Sequence, residues 1–170
     1  MADILNYPYG EAQFEPTRKN LWLVDFEDTP LTAIAQTKLK FLARAASLPG
    51  MKREVIKDSF LNKDYNYGDK WKQDNDWKPK FLEVYDDVNA KAIIEEWMRL
   101  IYDPNTGAQN FLSTYKGNLK LHLLNLDYSV FKSYILYDAF PKDTSDVSLD
   151  TTEGKMEFDA TFQYRYYKEI

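Results

Sequence analysis

The chain has 170 residues, a formal net charge of −5, one histidine and no cysteine. That length fits one domain with a substantial core. Without cysteine there is no disulfide, thiolate nucleophile or Cys-ligated metal, and the lone His122 excludes a multi-His metal site.

Aromatics make up 16% of the residues, with 13 Tyr, 10 Phe and 4 Trp, which favours packing and contact surfaces over catalysis. The acidic balance argues against broad nucleic-acid affinity, which needs clustered Lys and Arg. No apolar run approaches the ~20 residues of a membrane helix. Met1–Leu5 lacks the basic start and apolar stretch of a secretory signal. The expectation is a structural or binding protein, with no enzyme activity, no cofactor and no metal.

Residues 1–17 read as an extended arm, carrying Pro8, Gly10 and Pro16 with no helical or strand period. A single domain is expected over 18–170. In residues 18–27, Trp22, Val24 and Phe26 share one face of a strand, which Asp28-Thr29-Pro30 ends. Residues 37–47 read as a second strand, with Leu39, Phe41, Ala43 and Ala45 inward, although the alanines also suit a helix. Leu48-Pro49-Gly50 is a turn.

Residues 51–80 read as a long, irregular, projecting hairpin. Tyr65, Tyr67, Trp71 and Trp77 sit there among Lys, Asp and Asn, and exposed aromatics in such a loop mark a contact surface. Lys80–Tyr85 is a further strand. A helix follows over 87–102, started by Asp86-Asp87, with Ala90, Ile94, Trp97, Met98 and Ile101 as its apolar stripe. Asp103-Pro104-Asn105-Thr106-Gly107 stops it.

The last third reads as β. Residues 117–126 turn Leu119, Leu121 and Leu123 inward, and a strand over 131–138 follows. Residues 155–168 alternate Met156, Phe158, Ala160, Phe162, Tyr164 and Tyr166 with Glu157, Asp159, Thr161, Gln163 and Arg165. Fully extended, that strand spans roughly 40 Å, longer than a small sheet needs. The fold expected is mainly β, an antiparallel sandwich or barrel with one flanking helix and a projecting hairpin loop.

Several constellations carry no chemistry. His122 lies on the polar side of its strand with no orienting carboxylate or nucleophile signalled in sequence. Asp86/Asp87 and Glu95/Glu96 are helical neighbours about 100° apart, so neither pair shares a proton. Asp64–Asp69 departs from a calcium loop, with its glycine one position early and Asn75 in the twelfth position. From Asp138 to Asp159 the chain carries seven acids against Lys142 and Lys155, a net of −5 equal to that of the whole chain.

Four stretches carry a family resemblance: Phe41–Pro49 with its Ser-Leu-Pro turn; Gly68-Asp69-Lys70-Trp71 followed by Asp76-Trp77; the 81–85 strand leading into the helix with Trp97; and Tyr134–Tyr167, with Ala139-Phe140-Pro141, Val147–Asp150 and the long aromatic strand. Over residues 20 to 168 the chain resembles tail tube proteins of T-even-type contractile phages, relatives of the inner tubes of other contractile injection machines. Residues 57–77 and the arm depart from the pattern.

The resemblance implies homo-hexameric rings stacked into a hollow tube, with strands of all six subunits closing one β-barrel around the lumen. It implies a virion tail component assembled in the host cytoplasm, with sheath, baseplate and tape-measure partners. DNA would pass through the lumen without specific binding, with no stable membrane insertion. A loop like 50–80 would reach the next ring, so Tyr65, Tyr67, Trp71 and Trp77 are the expected inter-ring contacts. Glu157, Asp159, Thr161, Gln163 and Arg165 are expected to face the lumen, with Met156, Phe158, Phe162 and Tyr164 in the subunit core. The alternatives are a tube-fold baseplate, tail-completion or secretion-system tube protein, and a carbohydrate-binding β-sandwich using Trp71 and Trp77.

Overall fold

The structure is a computed structural model, described for residues 17–72, 75–147 and 153–170. The arm at 1–16, the side chain of Trp71, and Asp150 of the acidic stretch lie outside the described residues.

In chain order the elements are β1 (Trp22–Glu27), α1 (Ala33–Leu42), β2 (Ala43–Ala45), β3 (Lys52–Phe60), β4 (Lys63–Lys72), β5 (Asp76–Trp77), β6 (Lys80–Leu82), α2 (Ala90–Ile101), α3 (Leu112–Tyr115), β7 (Gly117–Leu124), β8 (Val130–Thr144), β9 (Glu157–Gln163) and β10 (Tyr166–Glu169). One antiparallel half-barrel runs β1-β7-β8-β9-β6-β2, with β10 added on β8 and β5 on β9. β3 and β4 form a separate two-stranded sheet.

The alternation read in β1, β7 and the C-terminal strand builds the core. Val24, Phe26, Leu119, Leu121, Phe158, Ala160 and Phe162 are buried. Helix α2 closes the half-barrel with Ala90, Ile93, Ile94 and Trp97. Its N-cap is Asn89, whose side chain accepts from the Ala92 amide at 2.9 Å, so the helix starts later than the Asp86-Asp87 expected. Asp86 instead pairs with Lys38 at 2.6 Å. Trp97 and Trp77 bury their rings and donate their indole N–H to the carbonyls of Tyr115 and Ser47.

Three expectations need correction. Residues 37–42 are helical, not strand. Thr32 caps α1, accepting from the Ala35 amide at 3.3 Å, and the good helix formers between Ala33 and Leu42 put Leu39 into the core. Phe41, expected inward, is therefore 66% exposed. Where one flanking helix was expected, the described residues hold three, counting the one-turn α3. Met156, expected in the core, is exposed, because regular pairing begins only at Glu157 opposite Leu82.

The long C-terminal strand is divided into β9 and β10, yet its register on β8 is kept across that break, shifting only further on, between Pro141 and Asp143. Gln163 faces Phe140 and Tyr166 faces Tyr137. At the break, Asp138 adopts φ 52° and the Arg165 amide donates to the Tyr137 carbonyl. This local irregularity shifts the alternation, so that Tyr166 is exposed while Tyr167 packs towards Tyr134 and Tyr164.

Candidate assembly surfaces

The polar side of the half-barrel is continuous across four strands. Asp25 and Glu27 on β1 and Lys120 and His122 on β7 alternate with buried residues, and Ser133 and Asp138 on β8 and Arg165 beyond β9 carry the polar side on. Of the five residues expected to share one face of the C-terminal strand, Glu157, Asp159 and Arg165 are exposed and Thr161 and Gln163 half-buried. Phe158, Ala160, Phe162 and Tyr164 turn the other way, into the core.

The charge on this face is more mixed than the sequence stretch implied. Asp159 has Lys80 of β6 at 3.9 Å. Asp138 has Lys116 at 2.8 Å and Arg165 at 3.6 Å. Lys120 reaches Glu27 and Lys40 reaches Asp25, both at 2.6 Å. Lys142 reaches Asp76 at 3.1 Å. Several of the cations come from outside the acidic stretch, so a count along the chain could not register them.

Asp138 shows what such pairing does. Its hydrogen bond to Lys116 is the main influence holding its carboxyl below the ordinary 3.8, with Arg165 adding to it. The lowered value means this ionised contact stabilises the fold above the unfolded aspartate pKa and is lost as pH falls through the folded one. Asn tolerates the same left-handed backbone. Asp138→Asn should therefore cost about 1 kcal/mol at neutral pH and flatten the acid limb of the stability curve below about pH 4, read by thermal melts at several pH values.

Sequence reading missed one grouping on this face. His122 Nε2 lies 3.3 Å from Asp25, and its Nδ1 lies 2.7 Å from the Ser133 hydroxyl. The carboxylate and hydroxyl that the sequence did not signal come from two different strands. Leu23 faces His122, and His122 faces Ser133. Only strand register could have shown this. The backbone N–H and C=O of Ser133 both bond to Ile170, and the contacts tie three strands together.

The β3–β4 hairpin is more regular than expected. Cross-strand pairs put Ile56 with Tyr67, Asp58 with Tyr65 and Phe60 with Lys63 on one face. Val55/Gly68, Lys57/Asn66 and Ser59/Asp64 occupy the other. The first face carries the apolar and aromatic side chains, and Ile56, Phe60, Tyr65 and Tyr67 are all exposed. The turn residues Leu61 and Asn62 have φ 50° and 58°, the paired positive values of a primed hairpin turn.

Trp77 does not belong to this surface. It is 1% exposed, packs 5.7 Å from the Phe162 ring and hydrogen-bonds Ser47. It follows the hairpin in sequence but lies on β5, paired with β9, so neither an inter-ring contact nor a sugar platform can use its face.

With this geometry in view, solved structures show the same fold. The chain is similar to the cap of the anti-feeding prophage, a tube-terminating cap, at 15% identity and TM-score 0.66 over 100% of this chain and 99% of that one. It is similar to a chain of the sheath–tube complex of the PVC extracellular contractile injection system, at 12% identity and TM-score 0.64 over 95% and 97%. It is similar to Hcp1 from Flavobacterium johnsoniae, at 9% identity and TM-score 0.51 over 88% and 94%. These likenesses concern the fold, which is that of tube-type proteins. A family model described as phage tail tube protein matches residues 13–170, and the chain belongs to that family. A comparison with curated proteins gave no match.

Proposed function

We propose that this chain is the repeating subunit of a contractile-tail tube. Six copies close a ring, and rings stack into a conduit for viral DNA. The observation that carries this reading is the pair of sheet edges. In the run β1-β7-β8-β10, all three pairings are antiparallel, and among the described residues the outer edges of β1 and β10 pair with nothing. An open edge is a template for another strand. With four alternating strands, β10 of one copy meets β1 of the next antiparallel, so the sheet continues around a ring and closes without an edge.

The polar side of the same sheet then lines the channel, with Glu157, Asp159, Thr161, Gln163 and Arg165 on it. Lys80 and Arg165 on it lie within 4 Å of Asp159 and Asp138, while Lys168, opposite Ile135 on the same side, is exposed. Interspersed carboxylates keep these cations from forming a continuous cationic stripe among the described residues, which lets DNA slide. Tyr65 and Tyr67, on the hairpin's aromatic face, reach the next ring. The resident partners are further copies of the chain, a sheath, a baseplate and a tape-measure protein, in a virion tail. Among the described residues no helix is long and apolar enough to cross a membrane.

Cryo-electron microscopy of the purified full chain tests this. Stacked six-fold rings with Glu157 and Asp159 on the channel wall are expected. Single rings that never extend favour a terminating cap or baseplate role instead. Glu157 and Asp159 on the outer wall would sink the lumen assignment.

A further inference from the structure

Helix α1 leaves an apolar face uncovered. Ile34 and Phe41 are 73% and 66% exposed, and Lys38 lies between them on the same side at helical spacing. The Lys38 amine bonds Asp86 at 2.6 Å and the Val88 carbonyl at 3.1 Å. That joins the helix face to the loop at 83–88, where Tyr85 and Val88 are also exposed. The result is one apolar patch spanning α1 and the loop. Of the loop's acids, Asp86 is paired with Lys38 and both Glu83 carboxylate oxygens are buried, which leaves Asp87 as its exposed, unshared negative charge.

A second unpartnered apolar surface exists on the same chain, the Ile56, Phe60, Tyr65, Tyr67 face of the hairpin. From Lys52 to Lys72 the hairpin has six Lys or Arg against four Asp or Glu, so its charge opposes that of the loop. The two surfaces also stand at opposite ends of β9. The hairpin returns through β5, which pairs with β9 at Phe162 and Gln163. The loop leaves β6, which pairs with β9 from Asp159 to Glu157, and the Glu83 amide bonds the Met156 carbonyl. About five residues of strand separate them, roughly 17 Å. Opposite placement is what a head-to-tail contact requires, because each copy must offer two different, complementary surfaces.

We infer that the α1–loop patch of Ile34, Phe41, Tyr85 and Val88 is the docking surface for the hairpin of a second copy in the adjacent ring. This rests on the tube reading and adds the receptor to it. A lone two-stranded hairpin is marginal in water, so a partner that covers its aromatic face also stabilises it. Asp87 on the loop offers the net-cationic hairpin an opposite charge beside the apolar contact.

The absence of cysteine makes the test clean. Full-length chain carrying Phe41→Cys and Phe60→Cys is assembled, oxidised mildly and run without reductant. Interchain bands continuing past six subunits, absent from either single variant, are expected. Tubes of ordinary length without crosslinks overturn the inference. A ladder ending at six places a neighbour of the same ring on the patch and also overturns it. Protein that never assembles overturns the tube reading and this inference together. As a second measurement, Phe41→Asp should leave the melting temperature unchanged and shorten tubes at least about tenfold, since a charge is forced into an apolar contact. Unchanged tube length overturns the assignment.

Discussion

Replacing residues 54–70 with an Asn-Gly turn should abolish tubes while leaving folded subunits and rings. Arg53 and Trp71 are cross-strand partners, so a two-residue primed turn closes the shortened hairpin between them. Everything removed pairs only within the two-stranded sheet, and none of it belongs to the core cluster. The subunit's melting temperature should therefore move by no more than about 4 °C, the equivalent of roughly 1 kcal/mol. Tube length should collapse, because the aromatic face of Ile56, Phe60, Tyr65 and Tyr67 is gone. Electron micrographs and a thermal melt check both halves. Long tubes from the shortened chain would show that stacking needs no hairpin. The cut must stop short of 75. Asn75 accepts from the Tyr164 amide, and Asp76 pairs with Gln163 and Lys142, so removing them would damage β9 as well. The double change Tyr65→Ala with Tyr67→Ala is a milder version and should shorten tubes without touching the turn.

How much of this was legible in the sequence depended on where the information lay. Period-two alternation between polar and apolar residues marked β1, β7 and β9, because each has one face in the core and one outside. Helix α2 was legible from its apolar stripe, though its start was not, since Asn89 and Asp86 compete as caps and only the Lys38 contact decides between them. Helix α1 was not legible as such. Leu39, Phe41, Ala43 and Ala45 read as strand alternation, whereas in space Leu39 is buried and Phe41 is exposed. Trp77 read as part of the hairpin because it follows it directly, but a two-residue pairing with β9 draws it inside. The surfaces were the least legible. Asp25, His122 and Ser133 meet only through register. The −5 of the C-terminal stretch is balanced in part by Lys80 and Lys116, which are distant in sequence. Local pattern fixes which face of an element is buried. It does not say which charges share the other face.

Phe162→Ala should be the most damaging single change in the subunit, costing about 3–5 kcal/mol. Its ring is the hub of the aromatic core. Phe26 of β1, Trp77 of β5, Phe81 of β6 and Trp97 of α2 all lie between 5.7 and 6.5 Å from it, centroid to centroid. One side chain thus bridges three other strands, one of them on the far side of the sheet order, and the helix that closes the half-barrel. Truncation leaves a cavity lined by large rings held in separate elements, which cannot all collapse into it. Phe162→Leu should recover a large part of the loss by restoring volume without the edge contacts. Chemical denaturation with tryptophan fluorescence reads this directly, since Trp77 and Trp97 flank the site. A loss below about 1 kcal/mol would mean the core does not depend on this ring. The consequence reaches assembly. Backbone pairing on one side of Phe162 positions β5 at the hairpin's root, and on the other it joins β8, which carries β10 and its open edge. Phe162→Ala should therefore lower the yield of rings as well as of tubes, whereas the shortened hairpin spares the rings. The contrast between the two variants separates a subunit that cannot hold its shape from one that holds it and cannot stack.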